Sequence, residues 1–273
     1  MMTMMAAARV AGRAAGVSPG RVGAVIARNV GALRSGPAYW WVLLSGFFEP
    51  VLYLLSIGVG VGAMVGTIEA GGRVMSYAAF VAPAMLAVAA MSGALAETTF
   101  NFFFKVKYGR TFEAVLATPV RPVEIALGEL GWAMIRGSVY TGAFIVLLVA
   151  TGLSSVAGGL LAFPATMLVG VAFGALGMAA STLMRGWQDF DLMAAGQFAL
   201  FLFSGTFSPV GDYPAAVRAL VEALPLYHAV ELVRGLTVGP GGWALAGHAG
   251  YLVVLAAGCL AVAARRLERL LCR

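Results

Sequence analysis

Four ionisable side chains sit in or beside long apolar stretches: Glu49, Glu97, Glu129 and Arg136. Charge at the bilayer centre costs roughly 2.5–3.5 kcal/mol on insertion scales, so each marks a substrate path, a gate or a structural ion pair. At 1.5 Å per residue, Glu49 and Arg136 reach similar depths from the inner surface, which allows them to pair between the first and third spans. A second group, His228, Glu231 and Arg234, falls at i, i+3 and i+6 on one helical face. The His-x-x-Glu spacing can bring two metal ligands together, but two ligands do not make a site. His248 lies elsewhere in the chain, so the expectation is a local polar ladder and no metal. No Ser/His/Asp set and no pair of carboxylates at a hydrolytic spacing is legible, so no catalytic residue is assigned. A phosphate-binding loop needs Gly-Lys before Ser or Thr. The two lysines, Lys105 and Lys107, follow Phe104 and Val106, so the chain has no such loop and any ATP-driven action must borrow its ATPase.

The elements that position these groups follow from composition. The chain has 273 residues, 61% hydrophobic and 11% charged, with a mean hydropathy of +0.91. Soluble domains carry about a quarter charged residues. This chain cannot cover a water-facing surface, and its long apolar segments lack the alternation of a barrel strand. The fold class expected is all-α integral membrane. The net charge of +6 does not indicate nucleic acid, because the basic residues lie in short runs between spans. Cys259 and Cys272 give no disulfide framework, and the N-terminus lacks the apolar core of a cleavable signal peptide.

Six spans are expected, at 38–65, 77–104, 123–150, 160–183, 192–207 and 243–264, with both termini cytoplasmic. Residues 1–37 form a cytoplasmic N-terminus. Within it, Val22, Val25, Ile26, Val30 and Leu33 share one arc, with Arg21, Arg28 and Arg34 opposite and Asn29 a blemish in the apolar arc. This reads as an interfacial amphipathic helix. Residues 66–76 read as a polar outer turn. The inner loop 105–122 holds a short amphipathic helix at 111–117, with Phe112, Val115 and Leu116 on one side. Pro119 and Pro122 stop it. Residues 209–240 read as a broken re-entrant pair, about 215–223 and 227–236, divided by Pro225. A basic tail, 265–273, closes the chain. Fourteen Lys and Arg fall on the inner side and three on the outer, which sets the orientation. A small-xxx-small pair, Gly170 and Gly174, would let helices approach closely.

Two stretches carry a resemblance: FFFKVKYGRTFEAVLATPVRPVEIALGEL, from Phe102, and FSGTFSPVGDYPAAVRALVEALPLYHAVELVRGLTVG, from Phe203. They resemble the permease subunits of ABC-2-type exporters, in the branch of nodulation lipo-oligosaccharide and anthracycline-type drug exporters. The resemblance implies a dimer of permeases, with itself or with a sister chain, in a bacterial plasma membrane. It also implies two separately encoded ATPase subunits, which carry the ATP and Mg²⁺; this chain itself would bind no cofactor. Arg28, Lys105, Lys107, Arg110, Phe112, Glu113, Val115 and Leu116 would then face the ATPase. Glu49, Glu97, Arg136, Phe203, Phe207, Tyr227 and His228 would line the substrate path or gate, among membrane lipids and without nucleic acid.

Two functions follow. One is a permease exporting an amphipathic substrate such as a drug, a glycolipid or a lipid-linked saccharide. The other is a membrane transferase or hydrolase using Glu97, His228 or Glu231. A permease is inert without an ATPase, whereas an enzyme acts alone. A passive channel lacks a legible filter.

Overall fold

The computed structural model describes residues 16–35, 48, 51–52, 54–70, 72–109, 111–239 and 242–271. Glu49, Arg110, Cys272 and the opening of the expected first span, residues 38–47, lie outside the described residues. What is described of that span ends in a π-helical stretch, Leu54–Val61, and a short turn of helix, Gly62–Val65.

Among the described residues four helices are long and apolar enough to cross a membrane. Helix α1, Pro19–Ser35, precedes them. The first long helix, α2 (Tyr77–Lys107), contains a π-helical segment, Glu97–Asn101. The short helix α3, Thr111–Leu116, follows. Then come α4 (Pro122–Ala150), α5 (Val156–Ser181), the 15-residue α6 (Asp189–Phe203), α7 (Ala215–Glu222), α8 (Pro225–Thr237) and α9 (Trp243–Leu271). The expected broken pair is thus present as α7 and α8, parted at Pro225. Pro225 opens α8, a position where its missing N–H costs nothing.

One expectation needs correction. The outer turn at 66–76 is a β-hairpin: β1, Thr67–Ala70, pairs antiparallel with β2, Arg73–Ser76. The two strands are joined through residues 71–72, and Gly72 has φ 74°, a backbone position that suits glycine. The fifth span, expected to be short and to break at Ser208-Pro209, corresponds to the 15-residue α6. At 1.5 Å per residue, α6 covers about 22 Å against a hydrocarbon core of about 30 Å. Beyond it the chain bends through Ser204–Ser208.

The centre of the bundle is made by α2 and α5. Helix α2 buries Phe80, Val81, Met85, Leu86 and Met91, and such a helix is apolar on every side. Phe144 and Leu148 of α4, Phe173 of α5 and Leu252 of α9 complete this core. Glycines set the approach of α5. A Cβ at Gly174 would stand 2.6 Å from Leu130 of α4, and one at Gly170 would stand 3.0 Å from Met134. The small-residue pair therefore lies where it was expected to act. A second cluster sits at the opposite end of the bundle from the hairpin. There Phe102, Phe112, Ile125, Leu130, Met178 and Leu267 pack together.

Candidate functional site

Helix α1 is seated on the start of α4. A Cβ at Gly128 would stand 2.5 Å from Val25 Cβ, and one at Gly131 would stand 2.8 Å from Ile26 Cδ1. At Gly128, where Val25 Cβ and the Val22 carbonyl crowd the site, only glycine lets the helices come this close. Two buried carboxylates on α4 then fix α1 in register.

The first is Glu124, which is fully buried. Its Oε1 accepts from the Ser18 backbone N–H at 2.8 Å and from the Arg21 guanidinium at 2.7 Å. Its Oε2 accepts from the Arg121 backbone N–H at 2.8 Å. Ser18 and Arg121 are the residues just before α1 and α4, so one carboxylate serves two helix N-termini. Both helix dipoles favour negative charge there.

The second is Glu129, 5% exposed. It binds Arg28 of α1 at 2.9 Å and Lys105 of α2 at 2.5 Å. Asn29, which looked like a blemish in the sequence, is buried. Its Oδ1 accepts from Lys105 at 3.0 Å and from Arg28 at 3.0 Å. The apolar arc of α1 thus carries one polar residue because three helices meet on it.

Next to this clamp lies α3. Phe112 is fully buried, and its ring lies 5.2 Å from that of Phe102 in a tilted arrangement. Val115 and Leu116 pack against the same cluster. Phe112, expected on a docking face, is therefore the anchor of the helix. The solvent face is formed by Glu113, Ala114, Ala117 and Thr118. Lys107 is exposed beside it, whereas Lys105 and Arg28 are held in the clamp. An aromatic group extends the site to α6. Phe103 packs edge-on against Phe190 at 5.2 Å, and Tyr108 stacks on Trp187 at 5.5 Å. Sequence reading missed this link, although Trp187 and Phe190 stand out as aromatics in a short polar turn.

Deeper in the bundle Arg136 pairs with Glu97 at 2.5 Å, across α2 and α4. Trp132 Nε1–H donates to the same carboxylate at 3.1 Å, and Asn101 donates to its other oxygen. The Arg136 partner is therefore Glu97, and Glu49 lies outside the described residues. The π-helical segment begins at Glu97. Its widened turn is accompanied by back-bonding of Thr98 to Ala94 O at 2.8 Å and of Thr99 to Leu95 O at 2.6 Å. Such π turns recur at functional sites.

At the opposite end, Arg234 of α8 is buried and lies 3.9 Å from the Phe80 ring centroid. It binds Glu231 at 2.7 Å and the Gly205 carbonyl at 2.9 Å. Tyr77 donates to the Phe207 carbonyl at 3.1 Å. The Phe203–Pro209 bend is pinned by these bonds, with Phe203 half exposed and Phe207 partly buried. His228 leaves the polar ladder: its Nδ1 stands 2.8 Å from Nδ1 of His248 on α9, beside Tyr227. Among the described residues no group of three or more His, Cys, Asp or Glu gathers to hold a metal.

The profile of the ABC-2 type transporter family matches residues 23–238. Nodulation protein J of Rhizobium leguminosarum bv. trifolii is 35% identical over 198 residues, covering 72% of this chain and 74% of that protein. Nodulation protein J of Sinorhizobium fredii is 33% identical over 215 residues, covering 78% of this chain and 80% of that protein. The matched region takes in α3, both buried carboxylates of α4 and the α7–α8 pair.

Proposed function

The chain belongs to the ABC-2 type transporter family, and on that premise we propose that it is the permease half of an ATP-driven exporter in a bacterial plasma membrane. It moves an amphipathic molecule, a drug, a glycolipid or a lipid-linked saccharide, out of the cytoplasm or the inner leaflet. Two copies, or this chain and a sister permease, enclose the path. Two separate ATPase subunits dock below. The loops that carry most of the Lys and Arg orient α3 to the cytoplasm and α7–α8 to the outside.

One observation carries this reading: α3 is a rigid foot. Its inner face is locked into the bundle by Phe112, its outer face is polar, and the Glu129 clamp ties α1, α2 and α4 together directly above it. A push on Glu113 and Thr118 is passed to three helices without being absorbed by side-chain repacking. Glu97 and His228, the groups an enzyme would use, are already committed to Arg136 and His248.

The test separates the two faces of α3. Glu113→Arg combined with Thr118→Arg should leave the amount of inserted chain unchanged. It should abolish transport and end substrate stimulation of the partner's ATP hydrolysis. Phe112→Asp should instead remove folded chain from the membrane. Wild-type transport by the double variant would reject docking at this face. Turnover by the purified chain alone would favour the enzyme.

A further inference from the structure

Three elements meet around His228. From α9 come His248, at 2.8 Å between Nδ1 atoms, and Tyr251, whose ring stacks on His228 at 3.9 Å. The Tyr251 hydroxyl donates to the Ala223 carbonyl just past α7 at 3.1 Å. The other titratable groups near His228 are Tyr227 and Glu231 on α8 and Arg218 and Glu222 on α7. Both carboxylates are engaged: Glu222 with Arg218 and Glu231 with Arg234, each at 2.7 Å.

The imidazole contact fixes the proton count. At 2.8 Å one facing Nδ1 donates and the other accepts, whichever tautomer is present. The pair holds one proton between its facing nitrogens. A first additional proton fits on the far nitrogen of the donating ring and leaves that bond in place. A second places N–H groups and positive charge on both facing nitrogens, with no free carboxylate beside them. We infer that His228 and His248 form an acid-released latch, which holds the α7–α8 pair against α9 and lets go when the outside medium turns acidic.

Burial, and then the neighbouring His248, push the His228 pKa below its ordinary value. The sign follows. Unlatched, His228 takes up its proton near pH 6.5; latched, it does so only at lower pH. The latch is therefore fully stable above about pH 6.5 and weakens as pH falls below it. External sensing rests on the orientation proposed above.

The experiment uses the full chain in sealed liposomes of one orientation, with Cys259 and Cys272 replaced by Ser and spin labels at Ala216→Cys and Ala246→Cys. Wild-type distances should lengthen as external pH falls from 7.5 to 5. In His248→Gln, and separately in His228→Gln, the amide can turn to accept from or donate to the remaining imidazole. The short distance should then persist at both pH values. No lengthening in wild type, or lengthening in both variants with the wild-type profile, overturns the latch. Lengthening only on internal acidification overturns the external sensor and the orientation together.

Discussion

At the scale of single residues, Glu124 is the most consequential side chain. Four bonds converge on it from Ser18, Arg121 and two Arg21 nitrogens. Removing one partner of a buried pair costs about 3–5 kcal/mol. Glu124→Ala should therefore lower the thermal midpoint in detergent more than Glu124→Gln, which keeps an oxygen for one N–H. Equal midpoints for both variants and wild type would count against the shared cap. Glu97 and Arg136 allow a second test. Glu97→Arg should prevent stable insertion, and adding Arg136→Glu should restore it, as read by the yield of monodisperse protein. The ionisable groups were all visible in the sequence. Their partners were not, because depth along a helix can be counted but rotation cannot. Counting depth pointed to Glu49 as the partner of Arg136, and the packing of α2 on α4 gives it Glu97. Asn29 and His248 were misread for the same reason: their partners lie 76 and 20 residues away.

For the helices, closeness of approach is the governing quantity. Gly128→Val places atoms where Val25 already stands and should detach α1, measured as faster proteolysis near residue 28. Gly23, on α1 itself, has nothing within 4 Å of an added Cβ. Gly23→Ala should be neutral or gain a few tenths of a kcal/mol from helix propensity. The sequence located the long helices and the α7–α8 break well, because long apolar runs and prolines are strong signals. Beyond Gly170 and Gly174, it did not show which of 36 glycines mediate contacts, since small residues recur throughout. The hairpin at 67–76 was legible in principle, from alternating residues around Gly-Gly, but the helical reading of the whole chain overrode it. The aromatic tie between α2 and α6 depends on the turn at 182–188 folding back, which no local pattern announces.

Across the whole molecule, burial is uneven. Helices α2 and α5 are enclosed, whereas α6 exposes Leu192 at 76% and Phe198 at 57%. Between α2 and α6 lies a cavity of about 180 Å³ bordered by Met91, Ser92, Gln197 and Phe198. On the proposal of a permease pair, this exposed face of α6 meets the second copy. Cysteines placed at 113 and 246 should be labelled by impermeant reagents from opposite sides of the membrane, the first only from inside. Labelling of both from one side would overturn the six-span arrangement. The shared cap at Glu124 also has a consequence in time. Ser18 and Glu124 are 106 residues apart, and ribosomes add about 5–20 residues per second. The nascent N-terminal helix must therefore wait some 5–20 s, its greasy stripe unsheltered, before its anchor is even synthesised. Quality-control proteases have that interval in which to judge the chain.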